Sequence, residues 1–312
     1  MTSYQRRSGS LQFYPRKRAR KFLPSVNWKA IKSDEVNFLG FIGYKVGMVS
    51  VCVKDKTENS MTKNKAIVVP ATILECPEMK IYSVRFYKNG VVMKDVVVSN
   101  EKILKRKVKV PKEIKKLEDE EDFDDVRVIV YSDVRKTGIK KKPDMIEIGI
   151  GGSKEEKLKF IKEKIGKSIS VLDVFSEGLV DVRGVTKAKG TQGPVKRFGI
   201  SLKAKKSEKG QRNPGSLGPW HPARVTFRTP QAGQTGGFSR ITYNNLILMV
   251  GKISERDINK DSGFHKYGKI RTDYIILKGS VPGPQKRQLL ITKALRPSKK
   301  QSKLNFEFIE LR

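Results

Sequence analysis

The sequence predicts a mainly β protein with long basic extensions. Short runs rich in Val, Ile, Phe and Tyr recur between turn signals, a pattern that suggests a sandwich or barrel. Only two stretches read as helical. Two others, residues 1–33 and 183–240, are crowded with Lys and Arg, nearly free of acids, and too poor in apolar residues to bury a core of their own.

Residues 1–33 contain no acid; Asp34 is the first. Arg6, Arg7, Arg16, Lys17, Arg18, Arg20, Lys21, Lys29 and Lys32 alternate with Tyr4, Phe13, Tyr14 and Trp28. This pattern reads as an extended arm whose cations meet phosphates. Its aromatic rings can stack on unpaired bases or pack on the host domain. A solvated tail is the plainer alternative.

Strands are expected from Val36. Val36–Ile42 and Val46–Val53 are separated by Gly43-Tyr44-Lys45, and Lys65–Cys76 runs up to Pro77. Lys80–Tyr87 and Val91–Val98 flank Asn89-Gly90, a hairpin signal because both central residues of a type I′ turn need positive φ. Val126–Tyr131, Met145–Ile150, Ile169–Phe175 and Leu179–Val185 follow. Beyond the second basic stretch come Ile241–Val250, Lys269–Leu277, Leu289–Ile291 and Leu304–Leu311. In the last, Leu304, Phe306 and Phe308 alternate with Asn305 and Glu307, a period of two.

The two helical patches are Pro111–Asp125, with an acidic run Glu118–Asp122, and Lys154–Ile165. In the second, Ser153 and Glu156 have capping-box spacing, and Leu158, Ile161 and Ile165 share a face. Residues 100–165 hold many of the acids and read as an insertion facing solvent or another protein, away from phosphate.

The formal net charge is +34 in 312 residues. Charge of that size speaks to partners, not to fold. A membrane surface would also attract it, but no apolar run reaches the roughly 18 residues of a spanning helix; Phe38–Val53 is broken by three glycines and Lys45. The basic N-terminus lacks the apolar stretch of a secretory signal. Cys52 and Cys76 make no disulfide framework and fit buried small residues in a reducing, cytoplasmic setting.

Between Arg183 and Arg240 stand Arg183, Lys187, Lys189, Lys196, Arg197, Lys203, Lys205, Lys206, Lys209, Arg212, Arg224, Arg228 and Arg240, against a single acid, Glu208. Such a segment needs a polyanion to hold one shape, and phosphate backbone is the usual one. In its middle sits Trp220-His221-Pro222-Ala223-Arg224. Trp220 reads either as a core residue or as a rigid tip presenting an aromatic face; Gly218, Pro219 and Pro222 favour the tip. His221 fits a hydrogen bond to backbone or RNA.

Catalytic patterns fail. Gly166-Lys167-Ser168 has Ile161 where a phosphate-binding loop needs its first glycine, and Gly149, Gly151 and Gly152 miss the dinucleotide-binding spacing. Two histidines and two cysteines, far apart, give no zinc spacing. His221 has no neighbouring nucleophile. An RNA-modifying enzyme would have to use Asp181, which reads more readily as an exposed turn or salt-bridge residue. No catalytic residue, cofactor, metal or small-molecule substrate is expected. A DNA-compacting protein is the remaining competitor.

Several runs then carry a resemblance. Gly184–Gly199 (GVTKAKGTQGPVKRFG), Gly215–Val225 (GSLGPWHPARV) and Gln231–Gln234 (QAGQ) resemble the signature of the universal large-subunit ribosomal protein L-three family. Gly9–Ala19 (GSLQFYPRKRA), Gly40–Met48 (GFIGYKVGM) and Gly279–Arg287 (GSVPGPQKR) resemble its archaeal and eukaryotic branch, in family order along nearly the whole chain. Glu208 stands where eukaryotic relatives carry a methylated His, which leans the resemblance toward archaea.

The resemblance implies a six-stranded translation-protein-type β-barrel with an α+β insertion. It divides the chain into a basic N-terminal arm (1–33), barrel segments (34–99, 166–185 and 241–312), an α/β insertion (100–165) and a central Gly-rich extension (186–240) tipped by Trp220. It implies a cytoplasmic protein, one copy per ribosome, held by large-subunit rRNA and neighbouring ribosomal proteins. It also implies action early in subunit assembly and a reach toward the peptidyl transferase centre. The residues expected to meet rRNA are Arg6, Arg7, Arg16, Lys17, Arg18, Arg20, Lys21, Lys187, Lys189, Lys196, Arg197, Lys203, Lys205, Lys206, Lys209, Arg212, Trp220, His221, Arg224, Arg228, Arg240, Lys286 and Arg287.

Overall fold

A computed structural model describes residues 7, 9–31, 33, 35–114, 117 and 122–312. Arg6, Tyr4, Lys32, Asp34 and the acidic residues 118–121 lie outside them. The chain forms two compact units. The smaller comprises the described residues of Met1–Lys21 with Val185–Arg240; the larger comprises those of Phe22–Gly184 with Ile241–Arg312.

The strands, in chain order, are β1 (Gly40–Asp55), β2 (Ala66–Glu75), β3 (Met79–Lys88), β4 (Val91–Val97), β5 (Asp125–Ser132), β6 (Met145–Gly149), β7 (Leu179–Val185), β8 (Thr191–Gln192), β9 (Gly233–Gln234), β10 (Ser239–Gly251), β11 (Tyr274–Lys278), β12 (Gln288–Lys293) and β13 (Phe306–Leu311). The helices are α1 (Lys154–Lys164), α2 (Pro194–Phe198) and α3 (Lys299–Ser302). The protein is mainly β, as expected.

The large sheet has the order β12-β7-β10-β11-β2-β1-β13, and β12 also pairs with β1. Hydrogen bonding therefore passes from β1 through β2, β11, β10, β7 and β12 and returns to β1. Phe41 lies opposite Ile291, and Tyr274 opposite Glu75. Both faces of these strands are covered: Phe41, Ile42, Tyr44 and Leu74 are fully buried in one apolar cluster, and Ile73 and Tyr274 in a second.

A second, antiparallel sheet has the order β4-β3-β5-β6. Residues 34–99, expected as one barrel segment, are divided between the sheets: β3 and β4 lie in this one, β4 pairing with β3 and β3 with β5, which places Val84 opposite Val128. The Asn89-Gly90 hairpin forms with both residues at positive φ, 51° and 78°. α1 carries its expected capping box, the Ser153 amide donating to Glu156 Oε2 at 2.9 Å, and buries Ile161.

Four further expectations change. Gly43-Tyr44-Lys45 does not interrupt a strand pair; β1 is continuous and absorbs the irregularity as a bulge between Lys45 and Gly47. Ile169–Phe175 is no strand. Only Ile169 bridges to Met79, while the Ser170 hydroxyl accepts from the Leu172 amide and Phe175 N–H bonds back to Val171. Local side-chain and turn bonds there replace a ladder although Val171, Val174 and Phe175 are buried. The described residues of Pro111–Asp125 are not helical. Their charges lack an apolar stripe, and Phe123 instead packs edge-on against Phe86 at 5.2 Å. Trp28, expected in the arm, is buried in the larger unit and donates from Nε1 to the Glu147 carbonyl at 3.1 Å. No helix among the described residues is long and apolar enough to cross a membrane.

Candidate nucleic-acid interface

The smaller unit is built around one ring. Phe198 ends α2, whose start is set by Gly193 and Pro194 and whose end is set by Gly199 in the left-handed conformation. The ring is fully buried and meets Tyr14 at 6.1 Å; Tyr14 in turn meets Phe227 at 5.7 Å. Three guanidinium groups lie over the Phe198 ring: Arg16 at 4.3 Å, Arg7 at 4.9 Å and Arg197 at 5.0 Å. A planar guanidinium can cover an aromatic face while its in-plane donors reach carbonyls. All three do so. Arg16 donates to the Arg197 carbonyl at 2.5 Å, Arg7 to that of Arg228 at 2.6 Å, and Arg197 to those of Gln234 and Gln231 at 3.0 Å each.

The rest of the unit is held mainly by backbone. β8 pairs with β9, Lys189 N–H donates to the Thr235 carbonyl, and Ala19 N–H donates to that of Gly237 at 2.7 Å. Gly236 has φ +72°, and a Cβ there would lie 1.9 Å from the Lys187 carbonyl oxygen, so only glycine allows this crossing. Arg240 covers Phe13 at 4.4 Å beside an open cleft of about 340 Å³.

Charge is uncompensated in this unit. Its one acid is Glu208, and no ion pair among the described residues involves any of its cations. Burial, then the neighbouring Arg197 and Arg7 charges, lower the Arg16 pKa. The guanidinium cluster is thus held by ring faces and carbonyls against its own repulsion.

The expected rRNA-binding residues fall into distinct groups. Arg7, Arg16 and Arg197 form the cluster, and Arg240 lines the cleft. Lys17, Arg18, Arg20, Lys21, Lys187, Lys189 and Lys196 are exposed. So are Lys203, Lys205, Lys206, Lys209, Arg212, His221, Arg224 and Arg228. Trp220 is 87% exposed, which overturns its reading as a core residue. Lys286 and Arg287 belong to the larger unit. The Lys286 amide donates to the Lys45 carbonyl at 2.8 Å, and Arg287 covers Phe22 at 4.6 Å, its pKa lowered by burial.

Sequence reasoning did not single out Phe198. The signal lay in Lys196-Arg197-Phe198, an aromatic residue directly following two cations. Asp181 is corrected too: it is buried in β7, not exposed. Oδ1 accepts from the Asn244 amide at 2.9 Å and Oδ2 from the Leu295 amide at 3.0 Å. A carboxylate engaged this way joins strands and has no free oxygen for a substrate.

A β framework together with a weakly apolar polycationic unit that holds a single acid defines a protein of the polyanion-binding class. The chain belongs to the ribosomal protein L3 family, whose model matches residues 1–94 and 85–311. It is 43% identical to the large ribosomal subunit protein uL3 of Methanothermobacter thermautotrophicus and 43% identical to that of Archaeoglobus fulgidus. Each comparison covers 96% of this chain and 94% of the relative. It is 40% identical to the uL3 of Methanosphaera stadtmanae over the same shares. The similarity is thus of archaeal type.

Proposed function

We propose that this chain is a structural constituent of the large ribosomal subunit and not a catalyst. The observation that carries the reading is the smaller unit, in which exposed Lys and Arg from two distant segments share one fold with a single acid. Phosphates of rRNA supply the missing countercharge. Recognition rests on shape, phosphate and 2′-OH, because the A-form major groove is too narrow for side chains.

In this reading the ring of strands β1-β2-β11-β10-β7-β12 is the six-stranded translation-protein-type barrel, and residues 186–240 are the extension tipped by Trp220. The protein is present once per subunit among neighbouring ribosomal proteins, joins early in assembly, and directs Trp220 toward the peptidyl transferase centre. Arg7, Arg16 and Arg197 shape the interface from within, while the exposed cations of both segments meet phosphate.

Crosslinking in cells, with sequencing of attached RNA and mapping of crosslinked peptides, tests this. Crosslinks from residues 9–21 and 186–240 to large-subunit rRNA are expected, with those around Trp220 near the peptidyl transferase region. Crosslinks dispersed over messenger RNA, transfer RNA or DNA would reject it.

A further inference from the structure

The larger unit carries a second basic surface, outside the arm and the extension. Residues 102–110 read KILKRKVKV. Ile103 and Leu104 are buried against Tyr131, with Val108 and Val110 packed on the same small cluster. Lys102, Lys105, Arg106 and Lys109 face outward and are exposed. A second loop, carrying Lys140, Lys141 and Lys142, is tied beside the first: Lys107 Nζ donates to the Pro143 carbonyl at 3.2 Å.

Three acids of the insertion are already engaged. Glu101 pairs with Lys80 at 2.5 Å. Asp144 is buried, accepts from Tyr44 OH at 2.5 Å and pairs with Lys140. Asp122, at the end of the acidic run, pairs with Lys88. Lys102, Lys105, Arg106, Lys109, Lys141 and Lys142 have no ion-pair partner among the described residues. Elsewhere on this second sheet the pattern differs: Arg85 pairs with Asp95 and Glu147, Arg127 with Asp125 and Glu147, and Lys157 of α1 with Asp125.

A loop with its own apolar anchor presents its charges in a fixed arrangement, which lowers the ordering cost of binding. Six uncompensated cations so held attract a polyanion. We propose that this two-loop patch is a second rRNA site, taking the phosphate backbone of a segment distinct from those met by the arm and extension. This departs from the expectation that residues 100–165 turn away from phosphate, and it rests on the ribosomal reading for the identity of the RNA.

The test compares full-length protein with two variants, binding a large-subunit rRNA transcript across a salt series. One variant is Lys105→Gln, Arg106→Gln, Lys109→Gln, Lys141→Gln, Lys142→Gln; the other is Lys17→Gln, Arg18→Gln, Arg20→Gln in the arm. All substituted side chains are exposed, and an unchanged melting curve verifies the fold. Each phosphate that a variant fails to neutralise makes the log–log salt slope shallower by about 0.7–0.9. The patch variant is expected to be shallower by about two or more, with affinity down about tenfold or more at low salt. Crosslinked peptides from residues 102–112 should carry rRNA. An unchanged slope for the patch variant with a shallower slope for the arm variant would overturn this site and leave the ribosomal reading standing. Unchanged slopes for both would count against that reading itself. Crosslinks from Lys105 and Lys109 to protein carboxylates, with no change in slope, would make the patch a protein-docking surface and reject the proposal.

Discussion

The Arg16 guanidinium lies 4.3 Å from the centre of the Phe198 ring and donates to the carbonyl of Arg197, 181 residues further along the chain. That relationship explains how two segments with too little apolar content for separate cores form one unit. Phe198 supplies the apolar face, and the arm supplies a cation that covers it while satisfying a backbone acceptor. The stabilisation is modest, about 0.5–1 kcal/mol for an exposed cation–π pair and about 2 kcal/mol for a desolvated one. It is opposed by repulsion among Arg7, Arg16 and Arg197. A unit balanced in this way gains from any anion that screens it.

Replacing Phe198 by Ala removes the ring shared by the three guanidinium groups. Truncating a buried Phe costs about 3–5 kcal/mol. Here the loss falls on the smaller unit alone. Hydrogen exchange and limited proteolysis at Arg16 and Arg197 should show that unit opening, while the main melting transition of the larger unit persists. Phe198→Leu, which keeps an apolar side chain but no ring face, should fall between. Unchanged protection in Phe198→Ala would mean that the backbone bonds alone hold the unit.

Gly236→Ala tests the backbone crossing. The added Cβ would sit 1.9 Å from the Lys187 carbonyl oxygen at a φ of +72°, and neither chain can yield without breaking the bonds between residues 189–190 and 235. Amide exchange at Lys189 and Thr235 should rise by an order of magnitude or more, equivalent to about 1.4 kcal/mol or more. Gly237→Ala is the control. Its φ is +69°, but the nearest atom is 3.5 Å away, so it carries the conformational penalty without the collision. Equal effects at the two positions would assign the whole cost to φ.

Asp181→Asn separates the structural role from the enzymatic one. Both carboxylate oxygens accept backbone N–H groups. An amide offers one oxygen and one NH2, so one buried donor faces another donor, at a cost of about 1–3 kcal/mol. Thermal or denaturant unfolding should register that loss. Rapid turnover of RNA by the native protein, abolished in Asp181→Asn without loss of stability, would contradict it.

The readable and unreadable parts of this fold divide by range. Val126–Tyr131 as a strand, Asn89-Gly90 as a turn and Ser153/Glu156 as a cap all rest on neighbours within a few residues, and each was legible. The partner of a strand was not. Met79–Lys88 has the same β content whichever sheet it joins, and only the position of Asp125–Ser132 in space decides. Ile169–Phe175 shows the converse: burial was legible, but the hydroxyl of Ser170 redirected the backbone bonds. At the candidate interface the cations and Trp220 were visible as composition. The Phe198 cluster was not, because a ring among cations looks solvent-facing until Arg16 and Arg7 are brought to it. The patch at Lys105–Lys109 was masked by the acids elsewhere in the same insertion, of which Glu101, Asp122 and Asp144 are engaged in ion pairs.

Trp220 gives the sharpest separation of folding from function. Its ring is 87% exposed, in a loop bracketed by Pro219 and Pro222, with the Thr229 hydroxyl donating to the Leu217 carbonyl at 3.1 Å across its base. A side chain so exposed contributes little to the free protein, and Trp220→Ala should alter its stability by no more than about 0.5 kcal/mol. The cations of the arm and extension are untouched, so the variant should enter large subunits normally on sucrose gradients. The effect should appear only in the assembled particle, as slower peptidyl transfer or altered tRNA accommodation. Stacking or packing by an aromatic ring is worth about 1–3 kcal/mol per base, which corresponds to a rate or affinity change of roughly 5- to 160-fold. Trp220→Phe should recover part of it. A Trp220→Ala particle with native translation kinetics would remove the ring from the mechanism, and failure of the free variant to fold would mean the loop depends on it.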